Sequence, residues 1–171
     1  MQRELLILRH GKSDWSRPVD DFHRPLKKRG RKNATQMGSW MAGQGLQPDY
    51  VISSPAVRAL ETARLACSAM QFPLERIREK AVVYEADEVQ LLQVVRSVPK
   101  KIKRLLLVGH NTGMEDFVLY LGAKAVHWPE DGKLMPTAAL ARFRVEKPWS
   151  ALGADTAQFL FIQRARLLEV G

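Results

Sequence analysis

The chain has 171 residues, 46% hydrophobic and 26% charged, and carries a formal net charge of +9 from 27 Lys and Arg against 18 Asp and Glu. That length and balance describe a globular protein with a sizeable core, organised as one domain over residues 1–171, and exclude a low-complexity or disordered chain. No apolar stretch approaches the ~20 residues that cross a bilayer, no signal-like segment opens the chain, and the lone Cys67 can form neither an intrachain disulfide nor a cysteine-based zinc site, so a cytoplasmic location is expected.

In chain order, the apolar run Leu5-Leu6-Ile7-Leu8 reads as a buried strand that stops at Arg9-His10-Gly11. A loop reaches about Pro25, and a helix is expected over about 26–42, with Ala34, Met37 and Met41 on one face. Tyr50-Val51-Ile52 is a short strand leading to Ser53-Ser54-Pro55, where Ser54 fits an N-cap, Pro55 a first helical position, and Arg58 the opening turn. Cys67, among Ala63, Leu65, Ala66 and Met70, reads as a buried helix residue rather than a nucleophile. A strand is expected at Ala81-Val82-Val83-Tyr84, followed by a helix with apolar positions Leu91, Leu92, Val95 and Val98. Leu105-Leu106-Leu107-Val108 is the next strand and ends in Gly109-His110-Asn111. Met114, Phe117, Val118 and Leu121 then give a helical stripe that Gly122 closes. Residues 138–145 and 158–165 form a closing hairpin at the sheet edge. Strand and helix alternate throughout, so the fold class is α/β: a three-layer α/β/α sandwich around a mostly parallel sheet.

Open sheets of this class bind ligands at the C-terminal ends of their strands. Arg9 and His10 close the first strand, Arg58 opens the helix after the second, and His110 closes a later one, so all four belong to one face of the sheet. Two forked guanidiniums and a helix N-terminus suit the oxygens of a phosphoryl group. A neutral imidazole is a nucleophile toward phosphorus near pH 7, while the other histidine can remain protonated and stabilise the equatorial oxygens. Covalent catalysis through a phosphohistidine follows. The plainer alternatives are a histidine held by loop hydrogen bonds and an Arg58 paired only with Glu61 at i+3. Neither a His-x-x-x-His pair nor a cysteine cluster is present to complete a metal site, and no cofactor is expected.

These elements resemble the histidine phosphatase, or phosphoglycerate-mutase-like, superfamily. Its motifs occur here in order as Arg9-His10-Gly11, Ser54-Pro55-Ala56-Val57-Arg58-Ala59-Leu60-Glu61-Thr62-Ala63 and Gly109-His110-Asn111. Arg24-Pro25-Leu26 with Gly30, and Pro136-Thr137-Ala138, extend the likeness over most of the chain. The short length and the Lys12-Ser13-Asp14-Trp15 continuation are similar to the small SixA-type phosphohistidine phosphatases. The resemblance implies that His10 is the nucleophile and that Arg9, Arg58 and His110 complete the phosphate pocket, with Ser13 touching phosphate and Ser16 standing where the mutase-like members carry asparagine.

Thr112-x-x-Glu115 has the form of a capping box, which keeps Thr112 out of the site. Asp87 fits an N-cap and leaves Glu85 as the candidate general acid. A phosphohistidine leaving group needs little help from an acid, and the chain has no lid-sized insertion. A phosphohistidine-bearing protein is therefore the expected substrate, with small phosphorylated metabolites as the alternative. From another class, the alternatives are a non-catalytic phosphate-dependent module and a nucleic-acid binder. The basic clusters Lys27-Lys28-Arg29 with Arg31-Lys32, and Lys100-Lys101 with Lys103-Arg104, lack interleaved aromatic residues, which argues against nucleic acid. No membrane partner is expected.

Overall fold

The computed structural model describes residues 1–169. Leu5, Leu6, Ile7 and Leu8 are fully buried in β1 (Arg3–Arg9). Alternate side chains of a strand point to opposite faces, so a run with no polar break requires cover on both sides. That cover is present. Leu5 and Ile7 join Leu105 and Leu107 of β4 (Arg104–Gly109) against α3 (Glu88–Arg96) and α4 (Gly113–Gly122). Leu6 and Leu8 join Leu106 and Val108 against α1 (Lys28–Gly43) and α2 (Val57–Ala69). Each such side chain contributes about 1.5–3 kcal/mol by leaving water.

The remaining strands are β2 (Tyr50–Ser53), β3 (Ile77–Glu79), β5 (Leu140–Val145) and β6 (Ala157–Gln163). The sheet order is β3-β2-β4-β1-β5-β6. The four strands from β3 to β1 pair in parallel, and β5 is antiparallel to both β1 and β6. The expected three-layer α/β/α sandwich and its closing hairpin are therefore the architecture observed. Among the described residues, no helix is long and apolar enough to cross a membrane.

Three glycines let backbones approach closely on the α1–α2 side of the sheet. A Cβ on Gly38 of α1 would stand 2.4 Å from the Ala66 carbonyl oxygen of α2, so glycine lets these helices pack with their backbones in contact. A Cβ on Gly30 would stand 2.1 Å from the Lys12 carbonyl oxygen, and one on Gly11 would stand 2.7 Å from that of Gly30. The first turn of α1 is thereby pressed against the chain leaving β1. That turn is electrostatically unusual. Lys27 occupies the N-cap without a side-chain cap bond, and no acidic residue stands in the first turn. Cations near a helix N-terminus oppose its dipole by about 0.3–1 kcal/mol each.

Three local expectations are corrected. The strand expected at Ala81 to Tyr84 is a single 3-10 turn over Ala81–Val83, and the edge strand lies earlier, at Ile77–Glu79. β2 gives it no longer partner: the ladder ends at Ser53 opposite Glu79, and Lys80 N–H closes it on the Ser53 carbonyl. The helix carrying Arg58 starts at Val57 with Ala56 at its N-cap, not at Pro55 after Ser54, because Ser54 is turned to other work in the site. Thr112 makes no capping box. Its backbone is already helical, at φ −85° and ψ −12°, and the Glu115 carboxylate instead accepts from Met135 N–H and Asn111 Nδ2. Asp87 does form the expected cap, and its reciprocal bonds with Gln90 complete a true capping box.

Candidate active site

Strand register brings the two histidines together. Along β1 and β4 every residue pairs with the one numbered a hundred higher, from Glu4 opposite Arg104 to Arg9 opposite Gly109. His10 N–H continues the ladder to the Gly109 carbonyl at 3.1 Å. His10 and His110 therefore emerge side by side, with ring centroids 5.1 Å apart and planes tilted by 55°. Both are buried.

His10 Nδ1 lies 2.7 Å from its neighbour's carbonyl oxygen, that of Gly11. A carbonyl only accepts, so Nδ1 carries the proton and the Nε2 lone pair is left free. Burial lowers the His10 pKa to about 3, outweighing the bond to Gly11, and the nearby His110, Arg9 and Arg58 push in the same direction. Burial and Arg58 lower that of His110 to about 4. Both rings are thus neutral at pH 7 in the free protein. The protonated second histidine that the sequence allowed is disfavoured at His110, because desolvation beside arginines opposes another buried cation. His110 Nε2 lies 2.7 Å from Ser54 Oγ, while its Nδ1 is buried without a protein partner.

The arginines converge on the same cleft, which encloses about 600 Å³. Arg9 is tethered through Nη1 to the Met135 carbonyl at 3.1 Å, and Arg58 through Nη1 to that of Asp21 at 2.6 Å. The Nε atoms of both are buried without partners. The start of α2 supplies fewer free N–H groups than its position suggests: Ala56 N–H is given to Ser54 Oγ, and Val57 N–H to the Phe22 carbonyl. Arg58 is not paired with Glu61, whose carboxylate accepts from Leu26 N–H.

Asp21 is the group that the sequence reading missed. Its carboxylate accepts from Arg58 Nη2 at 3.0 Å, Arg24 Nη1 at 2.6 Å and Tyr84 Oη at 2.6 Å, so a single anion links two arginines across the cleft. The Tyr84 bond and the two guanidiniums hold this carboxyl well below the usual carboxylate range, and the Tyr84 hydroxyl is pushed up to about 12 by the same bond. The Tyr84 ring meets His110 edge-on at 5.6 Å. Arg24 carried a signal, the Arg24-Pro25-Leu26 string, but no role followed from it. Nothing in the spacing of Asp21 or Tyr84 marks them.

Ser13 lies in the cleft wall, buried, where its Oγ accepts from Arg24 Nε at 2.9 Å. Glu85 also lines the cleft, on its exposed side. Cys67 lies in the packed interior between α2 and the sheet, and burial pushes its thiol up to about 12. Among the described residues, no group of three or more His, Cys, Asp or Glu is gathered to hold a metal.

Residues 5–83 match the family model of the histidine phosphatase superfamily, branch 1, a span holding Arg9, His10, Ser13 and Arg58. Over that span the chain is similar to the histidine phosphatase superfamily. His110 lies beyond the matched span, and the sheet brings it back to the others. An uncharacterized protein of Mycobacterium tuberculosis is 29% identical over 147 residues, covering 84% of this chain and 90% of that one. Among solved structures, the protein histidine phosphatase SixA complexed with tungstate is similar with a TM-score of 0.79 at 19% identity, over 97% of this chain and 99% of that one. A mycobacterial glucosyl-3-phosphoglycerate phosphatase shares the fold less closely, with a TM-score of 0.64 at 15% identity, over 94% and 97% of the two chains. The family-model match over residues 5–83 and the shared fold support a phosphatase, a hydrolase of phosphoryl groups.

Proposed function

We propose that the protein is a metal-independent phosphohistidine phosphatase that works through a covalent phosphohistidine on His10. The observation that carries this reading is the in-register pair of neutral histidines, with the free Nε2 of His10 facing a cleft lined by Arg9, Arg58 and His110. His10 Nε2 attacks phosphorus as the P–N bond to the substrate imidazole breaks, and that imidazole takes up a proton on leaving. Water then attacks the phosphoryl group on His10, the new P–N bond breaks, and orthophosphate departs. Arg9 and Arg58 bind the equatorial oxygens, with Ser13 at the edge of the pocket. His110 Nδ1, buried and unused by the protein, donates to the developing oxyanion when Nε2 accepts from Ser54.

A nitrogen leaving group fits an acid that stands exposed on the wall, as Glu85 does, rather than one fixed in the floor. The higher TM-score to SixA than to the sugar-phosphate enzyme favours a protein-borne phosphohistidine. Small phosphorylated metabolites are the second reading, supported by a cleft large enough to admit them.

The test is a panel of phosphohistidine proteins beside sugar and amino-acid phosphomonoesters, with chelator present, comparing wild type and His10→Ala. Phosphohistidine should be cleaved with the highest kcat/KM, rapid quench should trap acid-labile label on His10, and His10→Ala should be inactive. Preference for a sugar phosphate overturns the substrate assignment. Turnover by His10→Ala overturns the mechanism, and activity lost to the chelator and restored only by a divalent metal overturns its metal independence.

A further inference from the structure

Beside the catalytic cleft lies a second one of about 230 Å³, lined by Lys12, Arg29, Lys133, Arg164 and Arg166 around Asp131. The two are continuous at Lys12 and Thr137, which line both. Asp131 is already engaged: its carboxylate takes a forked pair of bonds from Arg164 at 2.6 and 3.0 Å and faces Arg166 at 3.9 Å. Glu169 faces Arg29 at 3.4 Å and also accepts from Asn33 Nδ2 at 3.0 Å. Five cations thus meet two carboxylates. Lys12 and Lys133 are exposed and make no ion pair among the described residues. The first turn of α1 adds Lys27 and Lys28 with no acidic residue to balance them. Charge is concentrated here against the preference of the helix dipole, on the side that adjoins the reacting histidines.

We propose that this cationic rim is the docking surface for an acidic segment flanking the target phosphohistidine of a substrate protein, an inference that rests on the phosphohistidine reading above. The form of the rim favours a protein over a small anion. Its free cations are flexible, exposed lysines spread from the catalytic cleft across the α1 turn, rather than buried guanidiniums focused on one point. Such a surface attracts a charged face over several ångströms, raising the association rate and selecting among partners by charge.

The experiment uses the full chain, wild type and the double variant Lys133→Glu, Arg166→Glu, two exposed residues outside the catalytic cleft. Substrates are phosphohistidine peptides with acidic, neutral or basic flanks, together with phosphoramidate as a flank-free probe. Wild type should cleave the acidic-flank peptide with about tenfold higher kcat/KM than the neutral one, falling as ionic strength rises. The double variant should lose that preference through KM while keeping phosphoramidate turnover, which also reports its folding; Lys133→Gln, Arg166→Gln should give an intermediate loss.

Equal cleavage of all three peptides by wild type overturns the docking surface and leaves the phosphohistidine reading intact. An unchanged preference in both double variants overturns it as well. If phosphoramidate and all peptides are refused while monoesters are cleaved, the functional reading fails and this inference with it. A charge-reversal defect confined to a small doubly anionic metabolite would assign the rim to that class instead.

Discussion

The floor of the catalytic cleft and its outer wall are built differently. Arg9, His10, Arg58 and His110 stand at strand ends or one residue into a helix, and are buried or half-buried, whereas Trp15, Asp21 and Glu85 sit on connecting segments and are exposed. A ladder in fixed register holds the floor before any ligand arrives, so its donors need little reorganisation in the transition state. The wall is held by single side-chain contacts, chiefly those of Asp21 and the stacking of Arg24 over Trp15 at 3.6 Å. On the function proposed above, chemistry falls to the floor, and discrimination among substrates to the wall.

Removal of a floor donor is the hardest test of that division. Arg58→Ala and His110→Ala should each lower kcat by about a hundredfold or more, as for other preorganised donors, with the fold retained by circular dichroism. Rates within a few fold of wild type would mean that floor and wall do not differ.

Acid should expose the floor next. The folded values of about 3 for His10 and about 4 for His110 lie below the ordinary histidine value of 6.5. Between these limits the unfolded chain binds protons that the folded chain refuses. Stability is therefore fully present above about pH 6.5 and falls as pH drops toward 4, by up to about 1.4 kcal/mol per pH unit for each histidine. Urea denaturation from pH 7 to 4.5 should show that slope, reduced in His110→Ala; no difference between the two proteins would contradict the burial argument.

Wall substitutions should act more weakly and according to substrate. Glu85→Gln should slow phosphomonoester cleavage several-fold and leave phosphohistidine cleavage nearly unchanged, since only the oxygen leaving group needs a donated proton. Equal losses on both substrates would place Glu85 in binding rather than proton transfer. The smallest effect is expected from Trp15→Ala: an exposed cation–π contact is worth about 0.5–1 kcal/mol, or two- to fivefold in KM. A fall in kcat instead would join Trp15 to the floor.

The elements that carry the floor were legible because their signals are local. An unbroken apolar run such as Leu105 to Val108 has one packed solution, a strand covered on both faces, and the residue that ends the run is the one left at the sheet edge. The wall was not legible. Asp21 and Tyr84 are 63 residues apart and share a 2.6 Å hydrogen bond that no periodicity announces. Glu115 was misread for the same reason, since its spacing suggests a cap at Thr112 but its carboxylate accepts a backbone N–H from another segment; Glu61 likewise takes the Leu26 N–H, which leaves the plainer Arg58–Glu61 pair unformed.

By itself, then, the sequence determined the layers, the strand ends and the residue types brought to one edge, because hydrophobic burial follows period and composition. Tertiary structure alone decided the rest. Parallel pairing at a constant offset set His10 against His110, and the Gly11 carbonyl chose the ring nitrogen left free. Ala138 accepts a left-handed φ of +61°, at a cost of about 1–2 kcal/mol, where its N–H reaches the His10 carbonyl. Desolvation kept both imidazoles neutral. Each of these depends on the distance between segments remote in the chain, and that distance is fixed only when the sheet and its two helical layers close together.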